Sequence, residues 1–183
     1  MVSNNNTKQD PAGTITDSVL IAIRKIIQSI AMNSKSLVKR VGLTGPQLMI
    51  LQEVAHSGEI SAGEVAKAIS LSQGTVTGIL ERLEKQDLVT RRRSDFDRRR
   101  VLVQATAAGQ KLMETAPPLM QEAFVERFNS LQDWEQAMIL SSLQRLVSIM
   151  NAKAIKAAPI LAAGPIGEST VKTETREIND GVN

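Results

Sequence analysis

This 183-residue chain has no cysteine, no tyrosine, one histidine, one tryptophan and three phenylalanines. Without cysteine there are no disulfides, no thiolate metal sites and no cysteine-based peroxide sensing. The single histidine, His56, cannot build a metal site or a catalytic triad, and it reads as a favourable charge at a helix C-terminus. There is no run of eighteen apolar residues, so no membrane span is expected. The first thirteen residues are polar and lack a signal-peptide core, which makes the cytoplasm the expected location. Paired carboxylates in a defined pocket, a phosphate-cradling glycine loop and an activated nucleophile are all missing. We therefore expect no enzyme and no cofactor.

What is present is aliphatic and helical. Hydrophobic residues make up 42% of the chain and aromatics only 2%, so a core must be built from aliphatic side chains. From Asp17 to Val41 apolar residues recur at Val19, Leu20, Ile23, Ile26, Ile27, Ile30, Leu37 and Val38, one wide stripe on a long helix ended by Gly42. Thr44-Gly45-Pro46-Gln47 and Ser61-Ala62-Gly63-Glu64 are capping boxes opening a second and a third helix. Ser72 caps a fourth helix running to Gln86, with Val76, Ile79, Leu80 and Leu83 inward. Two strands come next, Leu88 to Arg93 and Arg99 to Ala105. Thr106 caps a fifth helix to about Asn129, which Pro117-Pro118 must interrupt or kink. A sixth helix runs from Ser130 to Met150, opened by Trp134, which we expect to pack at a dimer base. The methionines, Met120 and Met138 among them, are core residues or line a ligand crevice.

The net charge of +3 is a modest excess, and its placement matters more than its size. Six of the ten residues from Arg91 to Arg100 are arginine, while Glu168, Glu174, Glu177 and Asp180 make the C-terminal end acidic. A basic hairpin directly after an amphipathic helix is the layout of a winged helix-turn-helix. In that layout the helix enters the major groove and the hairpin reaches the minor groove. Ser72, Gln73, Thr75 and Thr77 sit at the start of that helix. Glutamine can pair with adenine edges, threonine methyls can touch thymine methyls, and helix-terminal N–H groups suit a phosphate. Gly74 and Gly78 give the same face a smooth surface for close approach. Arg82 on the flank reads as a phosphate contact or an ion pair. Asp97, Arg98 and Arg99 form the wing, with Arg93 on the strand before it, and an arginine at a hairpin tip suits a narrow minor groove.

These residues carry a resemblance. Leu71-Ser72-Gln73-Gly74-Thr75-Val76-Thr77, Leu83-Glu84-Lys85, Asp87-Leu88-Val89, Asp97-Arg98-Arg99 and Thr106-Ala107-Ala108-Gly109 together resemble the MarR family of bacterial transcription regulators, over Ser18 to Met150. The resemblance implies a mainly α fold, a winged helix-turn-helix with N- and C-terminal dimerisation helices and a two-stranded wing. It also implies a homodimer and repression of nearby genes relieved by a small-molecule effector. Within it, Arg99 takes the wing-tip role and Asp97 restrains its geometry. Gly78 departs from the pattern, since many relatives carry a larger polar or basic residue there. A narrower likeness, in Gly42 to Gln47 and Pro159-Ile160-Leu161, is to regulators of ectoine-synthesis operons.

The chain so read divides into a disordered tail (1–16), a dimerisation helix (17–42), a winged-helix DNA-binding lobe (43–106), dimerisation helices (107–151) and a flexible tail (152–183). Its partners are a double-stranded DNA operator, a second copy of itself and an effector, with no membrane. The alternative is a winged-helix architectural or protein-interaction module without sequence-specific readout.

Overall fold

The computed structural model describes residues 14–97, 99–155 and 157–163. They form α1 (Ile15–Val41), α2 (Gly45–Ser57), β1 (Glu59–Ser61), α3 (Ala62–Ala68), α4 (Gln73–Lys85), β2 (Val89–Arg93), β3 (Val101–Ala105), α5 (Ala107–Thr115), α6 (Met120–Asn129) and α7 (Asp133–Ile149). The fold is mainly α with one small antiparallel sheet. No helix among the described residues is long and apolar enough to cross a membrane. Backbone contacts divide the described chain into two compact units, residues 14–49 with 111–163 and residues 50–110.

The second unit has a dry aliphatic core. Ile50, Leu51, Val54, Val65, Val76, Ile79, Leu80, Leu83, Val89 and Val103 are each at most 1% exposed. The inward face expected for the fourth helix is the buried face of α4, namely Val76, Ile79, Leu80 and Leu83. Both expected caps form there. Ser61 and Glu64 close a capping box on α3, and the Ser72 hydroxyl accepts from Thr75 N at 3.1 Å. Past α4, Asp87 takes a left-handed conformation with φ 57°. The Leu88 amide can then donate back to Leu83 O at 3.0 Å, and the chain turns into β2.

The sheet has three strands in the order β1-β3-β2. The third strand, β1, was not expected from the sequence. Glu59-Ile60-Ser61 is too short to alternate visibly, and it forms because β3 offers it a free edge, with Ile60 opposite Val103. On the other edge, Val89 to Arg93 pair with Ala105 to Val101. A threonine latch fixes the start of α5. The Thr106 hydroxyl donates to Asp87 O at 2.6 Å and accepts from Gly109 N at 3.0 Å. Gly109 then lies so close to Leu88 that a Cβ would collide with its carbonyl.

In the first unit, Thr14 and Asp17 form a capping box at the start of α1. The Thr14 hydroxyl and amide hold the Asp17 carboxyl below its ordinary value. Gly42 ends α1 at φ 73°. The apolar stripe expected on this helix is present but largely uncovered. Leu37 is the only buried residue of α1, while Val19, Leu20, Ile26, Ile27 and Val38 are exposed. α6 and α7 contain no buried residue, and Trp134, Leu143 and Val147 also face outward.

The interruption expected at Pro117-Pro118 is a full break, and one expected helix boundary, the start of the last helix, needs correction. The fifth helix is two helices, because residues 116–119 around Pro117-Pro118 leave the helical path. The last helix starts at Asp133 rather than Ser130, since Gln132 serves as its N-cap and donates its amide to Glu135 at 2.9 Å. Part of the segment read as a flexible tail is attached. The Gln121 side chain donates to Pro159 O at 2.9 Å and accepts from Leu161 N at 3.3 Å. Ala163 N donates to the Ser34 hydroxyl at 2.9 Å.

Candidate nucleic-acid interface

α4 and the β2–β3 hairpin place the residues singled out in the sequence. Ser72, Gln73, Gly74 and Thr77 are exposed, whereas Thr75 and Gly78 are half-buried. Two hydroxyls are partly committed to the helix. Ser72 and Thr75 share a hydrogen bond of 2.8 Å, and Thr77 donates to Gln73 O at 2.8 Å. Thr77 therefore offers a neighbour its methyl and an acceptor oxygen, but no proton. Among the described residues nothing lies within 4 Å of a Cβ built on Gly74 or on Gly78, so packing against them does not require glycine at either position.

The wing arginines fall into two groups. Arg91 reaches from β2 to α4, donating to Glu84 at 2.7 Å through Nε, with a second contact of 2.5 Å through Nη2 and Glu81 at 3.7 Å. The Glu84 hydrogen bond is the main reason its pKa is raised further. Arg92 forks onto Glu59 of β1 at 2.9 and 3.0 Å and touches Asp95 at 3.3 Å, and its pKa is likewise raised, mainly by Glu59. Arg100 meets Glu64 at 3.0 Å and the Ser61 hydroxyl at 3.2 Å. Hydrogen bonds from the Ser61 hydroxyl and amide, with Arg100 adding attraction, hold the Glu64 carboxyl below its ordinary value.

Arg93 and Arg99 are exposed and form no ion pair among the described residues. Arg98 lies outside the described residues. Exposed ion pairs contribute little stability, about 0–1 kcal/mol, so these bridges matter chiefly for direction. They tie Arg91, Arg92 and Arg100 to the body and leave Arg93 and Arg99 without an ion pair among the described residues.

Asp97 braces the turn, its carboxylate accepting from Arg99 N at 3.0 Å. A hollow of about 180 Å³ opens between α3, α4 and the wing, and Gln73, Thr77, Arg91, Arg99 and Arg100 line it. Five residues from the two halves of the motif thus share one concavity. Arg82, exposed in the last turn of α4, stands apart from it. The anchors Glu59, Glu64, Glu81 and Glu84 were not recognised in the sequence. Their signal is faint, because each is one acidic residue whose partner is brought near only by the sheet or by α4.

A sequence model of the MarR family matches residues 41–100, from the end of α1 to the wing. This chain belongs to the MarR family. Its relatives include the uncharacterized HTH-type transcriptional regulator YsmB of Bacillus subtilis, 27% identical over 72% of this chain and 90% of that protein. The HTH-type transcriptional repressor NicR of Pseudomonas putida is 31% identical over 57% of this chain and 66% of its own length. Among solved structures, a probable transcriptional regulator from Pseudomonas aeruginosa aligns with a TM-score of 0.50 at 25% identity, over 73% of this chain and 99% of that one. As a MarR-family chain it is a DNA-binding transcription regulator with a winged helix-turn-helix. The narrower likeness to ectoine-operon regulators is not carried by these relatives.

Proposed function

We propose that this protein is a homodimeric, sequence-specific repressor that binds an inverted-repeat operator and is released by a small-molecule effector. In each half-site α4 enters the major groove and the wing enters the neighbouring minor groove. The observation that carries this reading is the hollow in which Gln73 and Thr77 of α4 face Arg99 of the wing. Gln73 is suited to an adenine edge and the Thr77 methyl to thymine. Arg99 is suited to the negative potential of a narrow minor groove. Ser72, Thr75, Arg82 and Arg93 supply phosphate contacts, which fix register rather than sequence. Gly74 and Gly78 allow the helix to approach closely.

Dimerisation is supported by the uncovered stripe of α1 and the outward apolar residues of α6 and α7, more apolar surface than a stable monomer exposes. Two-fold symmetry would set the two α4 helices about one DNA turn apart, with half-sites roughly 10 bp apart. An effector acts only through its differential affinity for the DNA-binding and DNA-releasing spacings, and about 1–3 kcal/mol gives a several-fold to hundred-fold response. Repression is the activity in the names of NicR and of the homoprotocatechuate degradative operon repressor of Escherichia coli, 25% identical over 75% of this chain.

The test is binding of the purified protein to its own upstream DNA against random competitor over a salt series. A preference of about a thousand-fold for one inverted repeat, at one dimer per site, is the expected result. Salt-sensitive binding without preference would make the protein an architectural binder.

A further inference from the structure

The wing carries a side chain that neither charge nor the core accounts for. Phe96 shows 102% of its reference surface, the most exposed of the large apolar residues described. It is one of three phenylalanines in the chain. The other two, Phe124 and Phe128, stack on each other with ring centroids 5.6 Å apart. Phe96 has no ring partner among the described residues.

The backbone beneath it is held firmly. Ser94 is 7% exposed, and its hydroxyl accepts from Phe96 N at 3.3 Å and from Asp97 N at 3.4 Å. Ser94 N donates to Arg100 O at 3.0 Å, and Arg100 N to Asp97 O at 2.9 Å. The neighbouring carboxylates are occupied, Asp95 by Arg92 at 3.3 Å and Asp97 by the Arg99 amide at 3.0 Å. A braced turn thus projects a bare ring into solvent three residues from Arg99, the cation of the hollow that has no ion pair among the described residues.

We propose that Phe96 is an apolar wedge for the DNA minor groove, seated against sugar edges or partly between two base pairs while Arg99 occupies the groove beside it. Proteins that work in the minor groove use phenylalanine in this way, unstacking a step and kinking the duplex. DNA is the occupant favoured here, because the ring is continuous with the exposed arginines Arg93 and Arg99 on the same hairpin. The wedge would favour flexible pyrimidine–purine steps at its position, adding a preference that needs no base-edge hydrogen bond. The proposal rests on the minor-groove placement of the wing.

The experiment uses full-length protein and the DNA site that the wild type selects from a random pool. Phe96→Ala, Phe96→Leu and Arg99→Ala are compared for affinity over a salt series. 2-Aminopurine is stepped through the flank of each half-site to report unstacking. Phe96→Ala is expected to lose about ten-fold in affinity with an unchanged salt slope, since a ring releases no counterions, whereas Arg99→Ala lowers the slope by about one. Wild type and Phe96→Leu should brighten one 2-aminopurine position, and Phe96→Ala should not.

An unchanged affinity and fluorescence profile for Phe96→Ala overturns the wedge while leaving the wing in place. A slope change matching Arg99→Ala overturns it too, by making Phe96 a mere support for the arginine. If Arg99→Ala also binds as wild type does, the wing placement itself fails. If no sequence is selected, both readings fall. Because Phe96 packs on nothing, its variants should melt with the wild type, which circular dichroism checks.

Discussion

At the scale of single residues, three glycines make opposite predictions. A methyl at Gly109 would strike the Leu88 carbonyl and press on Leu51. Backbone does not yield as a side-chain tip does, so Gly109→Ala should destabilise by about 1–3 kcal/mol, read as a lower urea midpoint. At Gly74 and Gly78 a methyl meets nothing among the described residues, so Ala should instead stabilise, by about 0.8–1 kcal/mol at Gly78 in the helix interior and by less at Gly74 in the first turn. If the smooth face serves DNA, the same variants should bind operator less tightly while melting higher. A variant that melts higher and binds equally well would reduce these glycines to unselected helix weaknesses. Only part of this was legible in the sequence. The glycines of α4 could be assigned to its outer face by periodicity. The crowding at Gly109 depends on Leu88, 21 positions away in the chain, which the latch of Thr106 draws in.

Among the elements, local chemistry was legible and pairing partners were not. The caps at Ser61 and Ser72 and the buried face of α4 derive from residue type and spacing within one turn or two. β1 has no such signature, since it exists only as the neighbour of β3. The ion pairs of Arg91, Arg92 and Arg100 were hidden for the same reason, since their acidic partners come near only once the sheet and α4 are assembled. One of these pairs titrates. Glu64 holds its proton more weakly in the folded chain than in the unfolded one, through Ser61 first and Arg100 last. Its stabilising contribution is therefore complete above the ordinary glutamate range and is lost as pH falls through the lowered value. The stability difference between wild type and Glu64→Gln should be constant above about pH 5 and should shrink as acid is added. A pH-independent difference would mean that Glu64 acts by shape alone.

For the molecule as a whole, the unit of residues 14–49 and 111–163 is the revealing one. Leu37 and Leu119 are buried there, but most of the large side chains on α1, α6 and α7 are not. An aspartate at Ile26 or Leu143 should produce monomers in analytical ultracentrifugation and abolish operator binding. That outcome tests the proposed dimer, and variants that still sediment as dimers would mean that the subunits meet through another face. The attached end of the chain is separately testable. Gln121→Ala removes both hydrogen bonds to residues 159 and 161, and limited proteolysis should then cut that segment sooner.

Arg91 adds something for the DNA rather than for the protein. By bridging β2 to Glu84 and Glu81 of α4, it gives the helix and the wing a preferred spacing, held by ties as weak as part-exposed ion pairs are. On the proposed docking, with α4 in the major groove and the wing in the minor groove, that spacing favours one separation between the two grooves. On that proposal, one base pair inserted within a half-site would fall largely on twist or bend of the duplex, whereas the same insertion between half-sites would fall on a different joint. The two insertions should differ most in wild type, and the contrast should fade when Arg91 is replaced.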